Sequence, residues 1–252
     1  MPSKKAPAGY YTASEAARRL GLPIATFHYY VKQGKIPKYV PAMRTEGFYE
    51  KSFIDKLTGT EFRTATPEDA AGIVDVLKSL GWPTTSVEQR RARLEKNPEI
   101  DHIAIDEGRI QGYVNGLPLG PDAMEGMMSG RLRSWDLDLA DVLTFEPGHE
   151  YDLFVGLAER QSARAAGYYG LRLVLGFRHV LEDWARRGII IHRLLGHSDE
   201  EAGQEVARIL GFSLIEGKPG DLFPRYELDL LATNHHFTKA YRAILADKIR
   251  TS

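Results

Sequence analysis

The chain has 252 residues, 43% of them hydrophobic and 27% charged, with 33 Lys or Arg against 34 Asp or Glu. It contains no cysteine, which excludes disulfides, thiolate nucleophiles and Cys-ligated zinc, and no apolar run approaches the roughly 20 residues that cross a bilayer. The net charge of −1 hides a division: residues 1–58 hold ten Lys or Arg against four Asp or Glu, a net of +6, and the remainder holds 23 against 30, a net of −7.

Lys4-Lys5 leads into no apolar segment, so no secretory leader is read and the protein is expected in the cytoplasm, with no membrane partner. Thr12-Ala13-Ser14-Glu15 is a capping box that opens a helix. Ala16, Ala17 and Leu20 recur at helical spacing, and Gly21 supplies the positive φ that ends the helix and turns the chain. Pro23 suits the first position of a second helix, which Gly34 and Pro37 end after about three turns. Phe27, Tyr30 and Val31 are expected to face inward, leaving Thr26, His28, Tyr29 and Lys32 outward. Two short helices joined by a tight turn form the geometry that places the second in a DNA major groove, although any helical hairpin shows this spacing. The cationic balance of residues 1–58 favours the nucleic-acid reading, because affinity for phosphate comes largely from counterion release by Lys and Arg.

Tyr11-Thr12, Ala16, Arg18, Leu20-Gly21, the run from Thr26 to Tyr30 and Gly34-Lys35-Ile36-Pro37 together resemble the MerR and excisionase winged helix-turn-helix. The resemblance covers about a fifth of the chain. It implies that Thr26, His28 and Tyr29 contact double-stranded DNA, with Lys32 beside them and Arg44 near the tip of a wing at 38–49. His28 departs from the arginine usual there, and a neutral imidazole is a weaker phosphate partner than a guanidinium. MerR regulators continue into a long dimerising helix. Here Gly59 and Thr60 follow a short helix at 52–57, so either a homodimer forms through the second domain or the protein binds DNA as a weak monomer, like the excisionases it resembles.

From Glu61 onward strands alternate with helices. The expected order is a strand at 62–65, helices at 67–80 and 86–96, a hairpin of strands at 102–106 and 109–117, a weakly patterned stretch at 118–150, a strand at 151–158, a helix at 170–187, a buried strand at 189–195, a helix at 199–210, strands at 212–215 and 226–231, and a last helix at 237–249. The fold class is therefore α+β: a small winged helix-turn-helix domain (1–58) followed by an α/β domain with a mixed central sheet (59–252).

This order, with Leu210-Gly211-Phe212 after a helix and Arg164-Ala165-Ala166-Gly167-Tyr168-Tyr169-Gly170 between a strand and a helix, resembles the GNAT N-acetyltransferases over most of residues 61–231. The resemblance implies a pyrophosphate loop in which Arg164, Gly167, Tyr168 and Gly170 bind acetyl-CoA through backbone N–H groups at a helix N-terminus. Two positions depart from that family. Tyr169 stands where a glycine or alanine lets the backbone approach phosphate, and Ala207 stands where a tyrosine acts as general acid. Glu150, Asp152 and Glu159 are the weak candidates for a catalytic base, against the plainer reading of strand-end carboxylates.

His192, His197, His235 and His236 show no third convergent ligand, so no metal site is assigned. Met124, Met127 and Met128 suit either a substrate mouth or, as read here, a mobile insertion. Arg90, Arg91 and Arg93, interleaved with Glu88 and Glu95, read as a solvated face. Function is expected to be DNA-binding transcription regulation, with a degenerate acetyltransferase-like domain that binds acyl-CoA or dimerises. The alternative is an active N-acetyltransferase acting on an amine of a small molecule or protein and tethered to DNA.

Overall fold

Thr12 follows a two-residue strand, β1 (Tyr10–Tyr11), and caps helix α1 (Ala13–Arg19), its hydroxyl accepting from the Glu15 N–H while the Glu15 carboxylate reaches back to the Thr12 N–H. A computed structural model describes residues 6–161 and 167–251. Helix α2 (Ile24–Lys32) follows the turn at Gly21, with Pro23 as its cap, and buries Phe27 and Tyr30. Where a wing was expected, the described residues show a single isolated bridge, Tyr39 to Phe48. A pairing that the sequence did not suggest ties the ends of this region together: β1 runs antiparallel to β2 (Tyr49–Glu50), which leads into α3 (Lys51–Gly59).

The body then runs β3 (Glu61–Thr64), α4 (Ala70–Ser79), α5 (Val87–Lys96), β4 (Asp101–Asp106), β5 (Arg109–Pro118), α6 (Pro121–Ser129), β6 (Glu150–Glu159), α7 (Tyr168–Arg187), β7 (Ile190–His197), α8 (Glu201–Leu210), β8 (Ser213–Ile215), β9 (Arg225–Asp229) and α9 (His236–Thr251). This is the order expected from sequence, with α6 added. Among the described residues the sheet has seven strands, in the order β3-β4-β5-β6-β7-β9-β8. It is mixed: β6 and β7 are parallel and the other pairs antiparallel. Helices α4, α5 and α6 pack a core on one face that includes Ile73, Leu94 and Phe154, while α7 and α9 pack the other with Phe177, Trp184 and Tyr241. No helix among the described residues is long and apolar enough to cross a membrane.

Two sequence expectations are corrected here. Met124, Met127 and Met128 are buried in the core on helix α6, which Pro121 starts and Gly130, in the left-handed region at φ 75, stops. Arg90 and Arg93 do not lie on a solvated face. Arg90 donates from Nη2 to Asp101 Oδ1 at 2.9 Å, Arg93 donates to the Leu137 carbonyl at 2.9 Å, and both arginines are buried. The fixed planar donors of arginine allow such burial when each meets a partner.

Candidate functional site

The sheet opens where β6 and β7 separate. They pair from Glu150 and Ile190 as far as Phe154 and Leu195, with a shift of register after Tyr151, and beyond that pair β6 continues against β5 alone. Helix α7 begins beside the end of β6, at Gly167, whose φ of 81° is natural for glycine and strained for other residues. The backbone N–H groups at this helix start converge on one side chain. Gly167 N–H donates to Glu159 Oε1 at 2.7 Å and Gly170 N–H to Glu159 Oε2 at 2.6 Å. Burial pushes the Glu159 carboxyl up, against the pull of the Gly170, Gly167 and Tyr169 N–H groups and of the Lys35 charge. Glu159 therefore occupies the position that a phosphate would take at a helix N-terminus.

Neither neighbouring tyrosine fills this anion nest. Tyr168 and Tyr169 are buried and meet edge to face at 5.0 Å, and the Tyr169 hydroxyl donates to Asp106 Oδ2 at 2.8 Å. The Tyr169 side chain thus turns away while its N–H still faces Glu159, so the departure from glycine at this position leaves the nest's donors in place. Arg164 lies outside the described residues.

Beside the nest is a cleft bounded by Tyr30, Lys35, Leu157, Glu159, Val174 and Ile209, with a volume of about 70 Å³. Pockets that hold cofactors run to roughly 300–1,000 Å³, so this one admits a few waters and no coenzyme. Two of its walls come from the N-terminal region: Tyr30 on α2, and Lys35, which pairs with Glu205 of α8 at 3.5 Å. Burial pushes the Tyr30 phenol up to about 12. Across the cleft, α8 ends at Gly211 in the left-handed region, φ 85°, as the Leu-Gly-Phe spacing implied. A Cβ on Gly211 would stand 2.8 Å from the His235 ring, so close packing demands glycine as well. Ala207 on this helix is half-buried and brings no hydroxyl to the position where the resemblance implies an acid.

Of the three carboxylates considered as bases, Glu159 lies at the cleft. Glu150 sits at the opposite, closed end of β6 beside His192 Nε2 at 3.1 Å, and Asp152 accepts from Arg193 Nε at 3.1 Å. Neither is directed at the cleft. No group of three or more His, Asp or Glu is placed to hold a metal among the described residues.

The residues expected to read DNA divide into two sets. His28, Lys32 and Arg44 are exposed. Thr26, expected outward, is only 4% exposed. Tyr29, also expected outward, packs against the body: its hydroxyl donates to the Ile209 carbonyl and its ring lies 3.9 Å from that of His236 and 5.4 Å from that of His235. The physical reason is that Tyr29 and Tyr30 extend the apolar stripe of α2 around the helix, and the body offers that stripe a second surface, which a two-helix reading lacks. Phe53 of α3 meets Tyr168 edge to face at 5.5 Å, the Lys56 ammonium lies 3.6 Å from Asp106, and Arg172 Nε donates to the Thr60 carbonyl at 2.9 Å. Tyr30, Lys35, Ile209, His235 and His236 were not singled out as site residues by sequence. The paired histidines at the start of α9 were the nearest signal.

No family model and no curated protein matches this sequence. Among solved structures the chain is similar to an N-acetyltransferase from Staphylococcus aureus Mu50, at 14% identity over 68% of this chain and 98% of that one, TM-score 0.44. It is similar to a ribosomal-protein-alanine N-acetyltransferase from Brucella melitensis, at 16% identity over 67% of this chain and 99% of that one, TM-score 0.44. It is also similar to yncA from Salmonella typhimurium, solved with its cofactor acetyl-CoA, at 15% identity over 70% of this chain and 96% of that one, TM-score 0.46. At identities this low, the chemistry of the site has to be read from the chain's own residues.

Proposed function

We propose that the protein is a DNA-binding transcription regulator, its cationic N-terminal winged helix-turn-helix fused to an acetyltransferase-like body that binds an acyl-CoA type of ligand, or dimerises, without turnover. One observation carries the absence of turnover: in this form the Glu159 carboxylate fills the nest, at a cleft of about 70 Å³. Ala207 adds that α8 has no hydroxyl to protonate a leaving thiolate. The first half is supported by the charge division and by the exposed positions of His28, Lys32 and Arg44 on the N-terminal region. A cytoplasmic location accompanies this reading.

Fluorescence anisotropy with duplex DNA across a salt series tests the DNA assignment. Lys32→Ala and Arg44→Ala should each weaken binding and each lower the salt slope by about 1, as loss of one phosphate contact does. Slopes unchanged in both variants would remove these residues from the interface. Calorimetry with acetyl-CoA tests the body: heat of binding with no thiol released in the presence of amines or peptides agrees with a ligand-binding role.

A second reading, an active N-acetyltransferase tethered to DNA, is favoured by one observation. The N–H donors of Gly167, Tyr169 and Gly170 remain gathered despite the Tyr169 side chain, so the nest is built for an anion once Glu159 withdraws. Steady thiol release with any amine acceptor would select it.

A further inference from the structure

The two functions proposed above compete for one helix. An α-helix with its side chains is about 10–12 Å across, and the DNA major groove is about 12 Å wide. A helix seated in that groove keeps only the face turned to its own domain for packing, so a further element on another flank competes with DNA. Helix α2 has such an element. One step round from the exposed His28, Tyr29 is held on the Ile209 carbonyl of α8 and against His235 and His236 at the start of α9. One step further, Tyr30 lines the cleft, and Lys35, just past the helix, is paired with Glu205 of α8.

We infer that the docking of α2 on α8 and α9 is an autoinhibitory clasp, and that a diphosphate-bearing ligand of the coenzyme A type, entering between β6 and α8, opens it. The inference rests on the functional reading above. The same residues, Tyr30 and Lys35, close the cleft and hold α2, so a ligand cannot enter without moving them, and the cleft cannot stay shut when α2 leaves. Glu159 holds the nest in the closed form, accepting the N–H bonds of Gly167 and Gly170 that an incoming phosphate takes over. Helix α3 makes its own contacts with the body, which do not involve α8 or α9: Phe53 on Tyr168, Lys56 beside Asp106 and Thr60 accepting from Arg172. They serve as the hinge, so the N-terminal region rocks about α3 and only its α2 edge lifts. Because the two occupancies are linked through one movement, ligand and DNA favour each other reciprocally.

The experiment is a duplex titration of the full chain, by anisotropy at fixed low salt, with two sets of body-side variants. His235→Ala with His236→Ala removes the surface under Tyr29, and Glu205→Lys turns the attraction for Lys35 into repulsion at an exposed position. Each folded variant should bind duplex about tenfold more tightly than the natural sequence, a coupling of ordinary size. Saturating coenzyme A should tighten duplex binding by the natural protein by a similar factor, and have little further effect on the His235/His236 variant. Folded variants that bind duplex no better than the natural sequence overturn the clasp while leaving the DNA assignment standing. Unchanged duplex affinity with coenzyme A overturns the ligand's part in it. Absence of duplex binding in every form, at the lowest salt, overturns the DNA assignment and the clasp with it.

Discussion

The two ends of the body's sheet are built on opposite rules. At the closed end, β6 and β7 are paired, and charged groups meet partners: Arg90 with Asp101 against the Tyr113 ring, and the Trp184 indole N–H donating to Glu99 at 2.9 Å. At the open end the strands part, a carboxylate stands in for an anion, and a neighbouring region supplies the cover. The contrast teaches where each kind of residue earns its place. Polar groups at the closed end hold the fold, and those at the open end keep a position that something else can take.

The sharpest way to break this contrast is at the buried ion pair. Asp101→Ala leaves the Arg90 guanidinium uncompensated in a site where both side chains are almost fully covered, and should cost about 3–5 kcal/mol in a guanidinium or urea unfolding curve. A loss below about 1 kcal/mol would mean that the closed end is not held as described.

Next in size is a pH effect. His102, stacked on Phe62 and close to Phe177 and Trp184, is buried, and burial brings its pKa down from 6.5 to about 4. Above pH 6.5 both folded and unfolded chains hold it neutral, and nothing depends on it. As pH falls from 6.5 towards 4 the unfolded chain takes up a proton that the folded chain refuses, so stability drops across that window. The contribution amounts to at most about 3 kcal/mol at the acid end. His102→Asn should flatten that part of a stability profile followed by thermal unfolding at several pH values, and an unchanged slope would assign it to other groups.

At the open end, Gly211→Ala places a side chain at φ 85° and 2.8 Å from the His235 ring, and should cost about 1–3 kcal/mol by the same unfolding assay. The smallest effect is expected from Glu159→Gln. Its burial already disfavours the charged form, and the amide keeps an oxygen for one backbone N–H, so about 1 kcal/mol is expected. If Glu159→Gln proved as damaging as Asp101→Ala, the open end would be a structural element of the same kind as the closed one.

Much of the scaffold was legible where a local rule fixes a local shape. The capping box at Thr12, the turn at Gly21, the left-handed cap at Gly211 and the alternation of strands and helices in the body each depend on a few adjacent residues, and each is present. Helix α6 carries its signals, Pro121 at the start and Gly130 at the stop, but Gly126 and the three methionines between them give it a weak helical pattern. The candidate site was less legible for a different reason. Gly167 and Gly170 could be read as a loop that favours anions, but nothing in their own spacing says that Glu159, at the end of the preceding strand, would fill it. The outward places given to Thr26 and Tyr29 assumed an isolated pair of helices. What buries Tyr29 comes from residues 180 and more positions further along, beyond the reach of any local pattern.

Helix α7 carries one more consequence. Its first turns supply Tyr168, Tyr169, Leu171 and Leu175 to the same apolar cluster as Phe27, Ile36, Ile54 and Leu57, while its later turns anchor Trp184 in the core on the face of the sheet that α7 and α9 cover. A polypeptide cut after residue 58 would lose the floor on which its own hydrophobic residues rest, and so short a segment has little other surface to bury. The first fifth of the chain is thus a tenant of the rest, and melting of the two should register as a single event in a calorimeter.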